Sequence, residues 1–424
     1  MKKKILGFLL VVLCFNFKVS SQETFKVMFY NLLKYPDEVA VPNRENDLEF
    51  ILSDYQPDLF LVCELNNSTG ANTVLNITRS AISPSFEMAT FATNTSDDLS
   101  GDNNELQNLL YYDSTKFILE EEIIVPTGLR DFNIYKLRLN TIDQVTNPVE
   151  IYVVVCHLKA SSGVVNAQIR FDMVVELDNY LSTLPADTNV LLGGDLNLYE
   201  GTEPAFQLLL QDTNNITFAD PINRVGNWSN NPNFVDVFTQ STRTRDDLGG
   251  APGGFDDRFD FILTSENMLG TTDINYVNDS YQVYGNNGLS ACYNRAINSS
   301  DCAIPGSPYS FEVRNALHNF SDHLPVTLSL EADVTLSLTD QEDLAEAIRL
   351  EKSLIDSELT IYINSSRYFN QRLYIYNSLG QVVENFQTNS SQRQVFNTNS
   401  LSHGIYFISF SESHTQPLKF VVSH

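Results

Sequence analysis

The sequence predicts an α+β protein in which two mixed sheets pack together with helices outside, followed by a small all-β domain. Three observations lead to this prediction. Short apolar runs with the length or alternation of strands outnumber stretches with helical periodicity. The few amphipathic helices fall between strands, where they can cover the outer faces of the sheets. The composition changes near Glu331, and short strands and turns recur from Leu359 onward.

Residues 1–21 are typical of a secretory signal peptide. Lysines occupy positions 2–4, residues 5–17 are apolar, and small residues at 19–21 precede Gln22. The apolar run is too short for a permanent membrane span, and no other stretch of the sequence is long and apolar enough. We therefore expect an exported monomer without a stable membrane anchor.

The charge of the chain restricts its partners. The formal net charge is −27, and removal of a signal with four lysines and no acidic residue would leave −31. Such a surface repels nucleic acid at long range. A nucleic-acid substrate would therefore depend on divalent cations or on a local basic patch.

Four cysteines remain after the predicted signal peptide. An exported chain meets oxidising conditions, and Cys292 and Cys302 flank a short polar loop, so we expect a disulfide between them. Cys63 and Cys156 lie in apolar strands, where buried free thiols are the default.

The first half of the chain alternates strands and helices. Residues 25–30 alternate as a half-buried strand does, and residues 59–63 form the continuous apolar run of a strand buried on both faces. Apolar residues recur with helical spacing over 44–55, and Pro57 ends that helix. The other elements predicted here are a helix over 72–82 and two paired strands over 109–112 and 134–139.

The second half has fewer helices and longer loops. Residues 151–156 predict another buried strand, and residues 165–184 predict an amphipathic helix. Residues 214–254 are rich in loop formers, and 271–308 form a long polar insertion that holds the cysteine pair. The other elements predicted here are strands over 189–192, 258–263 and 326–330 and a short helix over 204–211.

Polar residues suited to chemistry on phosphorus lie at or near the ends of six of these strands. Strand ends usually deliver their side chains to one rim of a sheet. Carboxylate and amide oxygens are ligands for a hard cation, and histidines can move a proton or stabilise charge on a phosphoryl group. The residues are Asn31, Glu64, His157, Asp195 with Asn197, Asp260, and Asp322 with His323.

Each of these residues also has a purely structural interpretation. Asn31 could cap a turn, Glu64 could be a surface carboxylate, and Asp260 could pair with Arg258. His157 could be a hydrogen-bonded histidine at the edge of a sheet, and residues 321–323 could be a polar turn before a strand. Residues 193–197 could be only a turn, since Gly, Asp and Asn all favour turns. Six such strand ends in one chain favour a hydrolytic site over six unrelated structural roles.

The segments resemble a known family in their order. They are Asn31, Val62-Cys63-Glu64, His157-Leu158-Lys159, Gly194-Asp195-Leu196-Asn197, Arg258-Phe259-Asp260-Phe261-Ile262-Leu263 and Ser321-Asp322-His323-Leu324-Pro325. Over residues 22–331 the chain resembles the endonuclease/exonuclease/phosphatase superfamily, which includes deoxyribonucleases, neutral sphingomyelinases and inositol-polyphosphate phosphatases. The resemblance implies a four-layer α/β/β/α sandwich and a phosphoester hydrolase dependent on Mg²⁺, with Mn²⁺ or Ca²⁺ as alternatives. In this family a residue with a polar amide side chain usually precedes the glutamate that Glu64 matches, whereas this chain has Cys63 there.

The resemblance also implies roles for the oxygen donors. Glu64 matches the principal metal ligand, with Asn31 and Asp322 in the same coordination shell. Asp195 matches the residue that orients or deprotonates the attacking water. Asn197 matches the residue that holds a phosphate oxygen.

The remaining roles concern the two histidines. His323 matches the catalytic histidine, and Asp260 matches the carboxylate that orients it; such a partner fixes the tautomer. His157 matches the second histidine of the nuclease and sphingomyelinase branches, which stabilises the phosphate or protonates the leaving oxygen. Arg130 is a candidate phosphate contact, with a surface arginine as the alternative.

The C-terminal region resembles the sorting domains of the type IX secretion system. The resemblance rests on residues 373–383, Gly404-Ile405-Tyr406-Phe407 and Lys419-Phe420-Val421, although Ile363-Asn364-Ser365 replaces the usual Pro-Asn-Pro opening. A generic β-sandwich binding module is the alternative. We expect a signal peptide at 1–21, a catalytic domain at 22–331, a linker at 332–354 and a sorting domain at 355–424, hence export through the periplasm and outer membrane by the type IX machinery.

The leading hypothesis is a secreted, metal-dependent phosphodiesterase or nuclease that acts on extracellular nucleic acid. A phospholipid phosphodiesterase of the sphingomyelinase type is the second hypothesis, and it requires exposed aromatic or apolar loops such as 278–293. A phosphatase is a further alternative. A non-catalytic surface protein would belong to a different class, but it would have no need of the complete residue set.

Overall fold

The computed structural model describes residues 22–96, 106–270, 272–337, 348–363, 369–410 and 417–423. The predicted signal peptide, residues 1–21, lies outside the described residues.

Residues 22–337 hold the larger of two hydrophobic cores. Their strands, in chain order, are β1 (Gln22–Tyr35), β2 (Leu59–Leu65), β3 (Phe86–Met88), β4 (Gln107–Asp113), β5 (Phe117–Val125), β6 (Phe132–Leu139), β7 (Glu150–His157), β8 (Val190–Asp195), β9 (Phe218–Ala219), β10 (Asp260–Ser265), β11 (Asn275–Tyr276), β12 (Gln282–Val283) and β13 (Val326–Asp333). The α-helices are α1 (Arg44–Tyr55), α2 (Ser68–Ala81), α3 (Val164–Leu181), α4 (Pro204–Leu209) and α5 (Phe311–Phe320). Short 3₁₀ helices occupy Pro232–Val237, Glu266–Leu269, Ser290–Cys292 and Ser300–Cys302.

The strands form two mixed sheets. The first has the order β11-β13-β1-β2-β4-β3, with β12 also paired to β13, and the second has the order β5-β6-β7-β8-β10-β9. The pairs β1/β2 and β7/β8 are parallel, and the other pairs are antiparallel. Each sheet therefore has a parallel pair at its centre, flanked by antiparallel strands.

The two sheets pack face to face. The centres of β1, β2, β7, β8 and β10 are buried, and strands of one sheet contact strands of the other. Gly193 on β8 shows how close this packing is, because a Cβ there would lie 2.7 Å from a methyl carbon of Leu61 and 3.3 Å from Cβ of Phe29.

Helices cover both outer faces. Helix α1 packs against α2 and α5, α2 also contacts β3, and α3 packs against α4 and β5. The architecture is the predicted α/β/β/α sandwich, since one helix group belongs to each sheet.

The register of the central strands brings the polar strand ends together. Asn31 is paired with Cys63, the residue before Glu64, in the first sheet. In the second sheet Asp195 is paired with both His157 and Asp260. The carboxyl ends of β1, β2, β7 and β8 therefore deliver their side chains to one rim of the sandwich.

One predicted strand pairing is wrong. Residues 109–112 lie in β4, which pairs with β2 and β3 in the first sheet, whereas residues 134–139 lie in β6, which pairs with β5 and β7 in the second. Both segments are strands, but the choice of sheet depends on distant partners. Local alternation does not encode that choice.

Helix α5 has no counterpart among the predicted elements. Ser310 caps it by accepting a hydrogen bond from the Val313 amide, and Val313, Leu317 and Phe320 form its buried face. The helix leads directly into Ser321, and β13 then runs away from the polar rim. Its position therefore fixes where the Asp322-His323 pair enters the site.

The C-terminal region has its own small core. Its strands are β14 (Ile348–Leu350), β15 (Leu354–Ile355), β16 (Glu358–Ile363), β17 (Arg372–Asn377), β18 (Val382–Gln387), β19 (Arg393–Asn397), β20 (Gly404–Phe410) and β21 (Leu418–Val422). They form a three-stranded sheet, β14-β16-β19, and a five-stranded sheet, β15-β21-β20-β17-β18. The buried residues of both sheets share one hydrophobic cluster.

The predicted linker, residues 332–354, is partly strand. Strand β13 continues to Asp333, and β14 pairs with β16 in the C-terminal region. Leu336 forms an isolated bridge with Thr141. Residues 338–347 lie outside the described ranges. In the part of the chain that the structure describes, we find no helix long and apolar enough to span a membrane.

Candidate active site

Asn31 joins the ends of the two sheets. Its Nδ2 donates hydrogen bonds to Oε1 of Glu64 and Oδ2 of Asp195, each over 3.1 Å. Its Oδ1 accepts a bond from the Leu33 amide at 2.9 Å. The fully buried amide thereby holds two carboxylates from different sheets at one point.

Glu64 faces the opening of the site. Its backbone has φ +58°, so the chain turns sharply at the end of β2. Its Oε2 accepts a hydrogen bond from the Lys34 amide at 3.0 Å, and the side chain keeps some exposure to solvent. Burial raises the pKa of Glu64, and the nearby charge of Asp322 raises it further. Glu64 and Asp322 are therefore near neighbours that a cation between them would stabilise.

Asp195 lies between the two histidines. Its Oδ2 is 3.5 Å from Nε2 of His157 and 3.8 Å from Nε2 of His323, and its Oδ1 accepts a hydrogen bond from the Asn197 amide. Burial raises the pKa of Asp195 to about 8, and the charges of Asp260 and Glu64 add to that shift. This carboxylate can accept a proton near neutral pH.

Asp260 and His323 form a buried pair. Oδ2 of Asp260 lies 2.6 Å from Nδ1 of His323, and neither side chain is appreciably exposed. Burial alone would lower the pKa of His323, but Asp260 and Asp322 more than offset it and raise that pKa well above its ordinary value. The pair fixes the imidazole with Nδ1 toward Asp260 and Nε2 toward Asp195.

The second histidine has the opposite electrostatic environment. Burial holds the pKa of His157 well below its ordinary value, and the positive charges of Arg130, His323 and Lys159 lower it further. Its Nδ1 is buried, with no hydrogen-bond partner among the described residues. A neutral imidazole of this kind can share a proton with an oxygen that develops negative charge.

Arg130 and Asn197 converge on the turn after β7. Nη1 of Arg130 donates to the carbonyl of Leu158 at 3.0 Å, and Nδ2 of Asn197 donates to the same carbonyl at 3.3 Å. Asn197 itself has φ +49°, a left-handed turn directly after β8. Both side chains therefore hold the backbone beside His157, while the Arg130 guanidinium remains half-buried at the rim.

Asp322 is held by a neighbouring loop. Its Oδ2 accepts hydrogen bonds from the Ala251 amide at 2.7 Å and from Nε2 of Gln240 at 3.3 Å. Its Oδ1 is buried and has no hydrogen-bond partner in the described ranges. Gly250, with φ +69°, lies against this carboxylate so closely that a Cβ would be 2.6 Å from Cγ of Asp322.

The donor set fits a divalent cation. One candidate ligand atom from each of Glu64, His157 and Asp195 lies within 4.8 Å of the others, and the same holds for Asp195, Asp260 and His323. The buried Oδ1 of Asp322, which has no hydrogen-bond partner in the described ranges, is a further candidate oxygen ligand. Oxygen-rich groups of this kind suit Mg²⁺, Mn²⁺ or Ca²⁺.

Gln240 is a site residue that the sequence did not reveal. Its Nε2 lies 2.6 Å from Nε2 of His323. It belongs to a loop-rich stretch without a motif, and the only local signal is a run of polar residues after Phe238. The structural interpretation of Asp260 finds no support, because Arg258 instead forms a bidentate pair with Asp220 at 2.9 and 2.8 Å.

The cysteines take the two states expected of them. Cys292 and Cys302 are disulfide-bonded, and Cys63 and Cys156 are buried free thiols. Burial raises the pKa of both free thiols. They lie directly before Glu64 and His157 and form part of the packed interior beneath the site.

Comparison with known proteins gives one family match. Residues 355–423 match the model of the family described as "Secretion system C-terminal sorting domain". The sorting domain predicted for the tail is thereby confirmed. The match concerns the tail alone. No curated protein matches the chain.

Solved structures similar to this chain come from animals and bacteria. The human Nocturnin catalytic domain with bound sulfate is 15% identical; the match covers 72% of this chain and 94% of Nocturnin, with a TM-score of 0.44. D. rerio TDP2 complexed with a single-strand DNA product is 16% identical, with coverage of 72% and 98% and a TM-score of 0.45. An endonuclease/exonuclease/phosphatase family protein from Bacteroides thetaiotaomicron is 13% identical, with coverage of 76% and 98% and a TM-score of 0.43. Proteins of the family that the sequence motifs resemble are therefore among the structural neighbours.

Proposed function

We propose that this chain is an exported, divalent-metal-dependent phosphoester hydrolase, and specifically a phosphodiesterase. The observation that carries the proposal is the position of Asp195 between Nε2 of His157 and Nε2 of His323, with Asp260 behind the second ring. Hydrolysis of a diester needs an oriented water, stabilisation of the phosphoryl charge and a proton for the leaving oxygen. The three groups can divide these tasks.

In this proposal Asp195 orients the attacking water and accepts its proton. His323, held by Asp260, stabilises the phosphoryl group. His157 serves the leaving oxygen, and Asn197 binds a phosphoryl oxygen. His157 is the residue that favours a diester, because a second imidazole is available for an alcohol leaving group.

Glu64, Asp322 and Asn31 would hold the cation. The support is the buried Oδ1 of Asp322, which has no hydrogen-bond partner in the described ranges, together with the effect of the Asp322 charge on Glu64. Glu64 also belongs to one of the two groups of candidate ligand atoms. Mg²⁺ is our first choice, with Mn²⁺ and Ca²⁺ as alternatives. A bound cation would polarise a phosphoryl oxygen as a Lewis acid.

Nucleic acid is the substrate that we favour. The chain as a whole is strongly acidic, but Arg130 and Lys159 both act on His157 and are half-buried at the rim of the site. They provide the local positive charge that a polyanion requires near the scissile bond. The sorting tail is consistent with a substrate outside the cell.

The segment considered for membrane contact in the sphingomyelinase alternative, residues 278–293, presents little aromatic surface. Tyr281 and Tyr284 are buried, and Tyr293 is half-buried. A non-catalytic protein would gain nothing from two interior carboxylates beside two interior histidines, since burial of such groups is costly without a function.

The proposal is tested on residues 22–424. The protein is incubated with plasmid DNA, RNA, sphingomyelin, inositol phosphates and nitrophenyl phosphate mono- and diesters. Each substrate is tested with Mg²⁺, Mn²⁺ or Ca²⁺ and with EDTA. We expect cleavage of nucleic acid and the diester, loss of cleavage in EDTA, and loss in His323→Ala. His403→Ala, a change to an exposed histidine of the tail, is the matched control. Wild-type protein that cleaves no phosphoester with any divalent cation would refute the proposal.

We further propose that the tail is an export address with no part in catalysis. It has its own hydrophobic cluster, and the site residues all lie within residues 31–323. Deletion of residues 355–424 should leave activity in cell extracts intact and keep the enzyme in the periplasm. Normal release of the truncated enzyme into the medium would contradict this assignment.

A further inference from the structure

We propose that the side chain of Gln240 is a displaceable cover on the catalytic nitrogen of His323, and that substrate binds by taking its place. This inference rests on the proposed function of the site. It assigns Gln240 a role in substrate access, which none of the sequence motifs indicates.

The contact involves the ring nitrogen that would face the substrate. Nδ1 of His323 is committed to Asp260 at 2.6 Å, which leaves Nε2 for chemistry. The amide nitrogen of Gln240 lies 2.6 Å from that Nε2 and 3.3 Å from Oδ2 of Asp322. One amide N–H can therefore donate to the neutral ring and the other to the carboxylate. A half-turn of the amide would present its oxygen to a doubly protonated ring at the loss of the bond to Asp322. Gln240 therefore covers Nε2 in either state of the ring.

Solvent exposure distinguishes Gln240 from the groups beneath it. The exposed fraction is 3% for His323, 2% for Asp195 and 0% for Asp260. Gln240 is half-buried, with part of its surface in contact with solvent. A phosphoryl oxygen that approaches Nε2 of His323 must therefore replace a group already bonded there.

The backbone of Gln240 is fixed, so the side chain is the part that moves. Its amide donates to the carbonyl of Asp257 at 3.0 Å, and its carbonyl accepts from the Asp257 amide at 2.9 Å. On the other side, the Leu324 amide donates to the carbonyl of Thr239 at 2.7 Å. Rotation of a half-exposed side chain is fast, whereas opening of this doubly paired segment would break all three bonds.

The cover should reduce affinity modestly. Substrate binding would exchange the hydrogen bond between Gln240 and His323 for one to a phosphoryl oxygen, and such an exchange contributes little net free energy. Removal of the Gln240 side chain should therefore raise kcat/KM by roughly 2- to 10-fold. The gain should lie mainly in KM, because the cover competes with substrate in the ground state and takes no part in the chemical step.

The test measures access to His323 directly. Diethyl pyrocarbonate acylates accessible, unprotonated imidazole nitrogens, so the rate at each histidine is followed by peptide mass spectrometry over a range of pH. The limiting rate at high pH reports access separately from protonation. The rate at His323 is divided by the rate at exposed His403 in the same sample, which removes differences in reagent. Gln240→Ala should raise this ratio several-fold. Gln240→Asn keeps the amide but is one methylene shorter, so it should also raise the ratio.

Kinetics on a nitrophenyl phosphodiester provide the second readout. Because Gln240 also donates to Asp322, each variant is assayed at Mg²⁺ concentrations that saturate it. Under these conditions both variants should lower KM by a larger factor than they change kcat. A fall in kcat at constant KM, together with an unchanged modification ratio, would show that Gln240 positions His323 and would overturn the cover. If no protein cleaves any phosphoester, the proposed function fails, but the modification ratio still decides whether Gln240 covers His323.

Discussion

Oδ2 of Asp260 and Nδ1 of His323 are 2.6 Å apart, and the two residues come from strand β10 and the turn before β13. The two strands belong to different sheets, so this short contact crosses the interior of the sandwich at the rim. It determines which nitrogen of His323 is left for substrate.

Replacement of Asp260 by asparagine should remove that control. Asp260→Asn keeps the size of the side chain but loses the charge that favours the protonated ring, so we expect kcat to fall by about 10²- to 10⁴-fold. Steady-state kinetics of Asp260→Asn, His323→Ala and the double variant measure the effect. The double variant should be no worse than His323→Ala, because the two residues act as one unit; additive losses would contradict a shared role.

Removal of the negative charge of Glu64 should weaken cation binding. In Glu64→Gln we expect the Mg²⁺ concentration for half-maximal activity to rise by about tenfold or more, since carboxylate charge dominates binding of a hard cation. Titration of activity with Mg²⁺ after treatment with EDTA measures this change. Glu176→Gln, on the exposed face of α3, is the control and should match the wild type. Equal Mg²⁺ requirements in both variants would show that Glu64 is not a metal ligand.

Gly250 should matter for the position of Asp322. A Cβ at residue 250 would lie 2.6 Å from Cγ of Asp322, so Gly250→Ala must move that carboxylate or the loop. We expect Mg²⁺ affinity to fall by about tenfold, the scale found when support of a metal ligand is lost. Gly253→Ala is a close control, because Gly253 also has positive φ but nothing lies within 4 Å of the added carbon. Equal losses in both variants would show that backbone strain alone is responsible.

The disulfide should stabilise the insertion that packs beside the site. Cys292 and Cys302 are ten residues apart, for which loop closure predicts about 2–3 kcal/mol of stabilisation. Urea unfolding of the double serine variant should show a loss of this size in the free energy of unfolding. Dithiothreitol should destabilise the wild type similarly and leave the double variant unchanged; an effect of the reductant on the double variant would point to another cause.

Asp256 should make stability depend on pH. Burial and the adjacent charge of Asp257 raise its pKa to about 7, above the ordinary value near 4. Between these values the folded protein holds a proton that the unfolded chain releases, so this contribution to stability falls as the pH rises from about 4 to about 7. Relative to the wild type, Asp256→Asn should become progressively more stable over this range in urea unfolding. A difference that does not change with pH would contradict the assignment.

The sequence predicted the strand ends better than the pairing of strands. The apolar runs before Asn31, Glu64 and His157 are continuous or alternating, and each lies in a strand. Strand β7 ends at His157 and β2 ends one residue after Glu64, whereas β1 continues past Asn31 to Tyr35. The pairing of 109–112 with 134–139 failed because either sheet could accept either strand. That choice depends on contacts across the core that no local pattern records.

Gln240 and helix α5 escaped prediction for different reasons. Gln240 reaches His323 because its loop is held in place by backbone hydrogen bonds to two neighbouring segments. Any residue type could make such bonds, so the sequence carries no signal for them. Helix α5 is a single short amphipathic segment at the end of a long polar insertion, and its cap, Ser310, resembles the many serines around it. In both cases the interactions that fix the structure join residues far apart in the sequence, or involve residue types that are common in the same stretch.

The direction of β13 determines at which end of the sandwich the chain leaves toward the C-terminal region. Strand β13 begins just after His323 and runs antiparallel to β1, so Asp333 and Gln22 lie side by side, about 30 Å along β1 from Asn31 at ordinary strand rise. The bridge from Leu336 to Thr141 keeps the departing chain at that far end. The chain therefore leaves the sandwich at the end opposite the candidate site, so the segment that leads to the tail does not pass across the opening of the site.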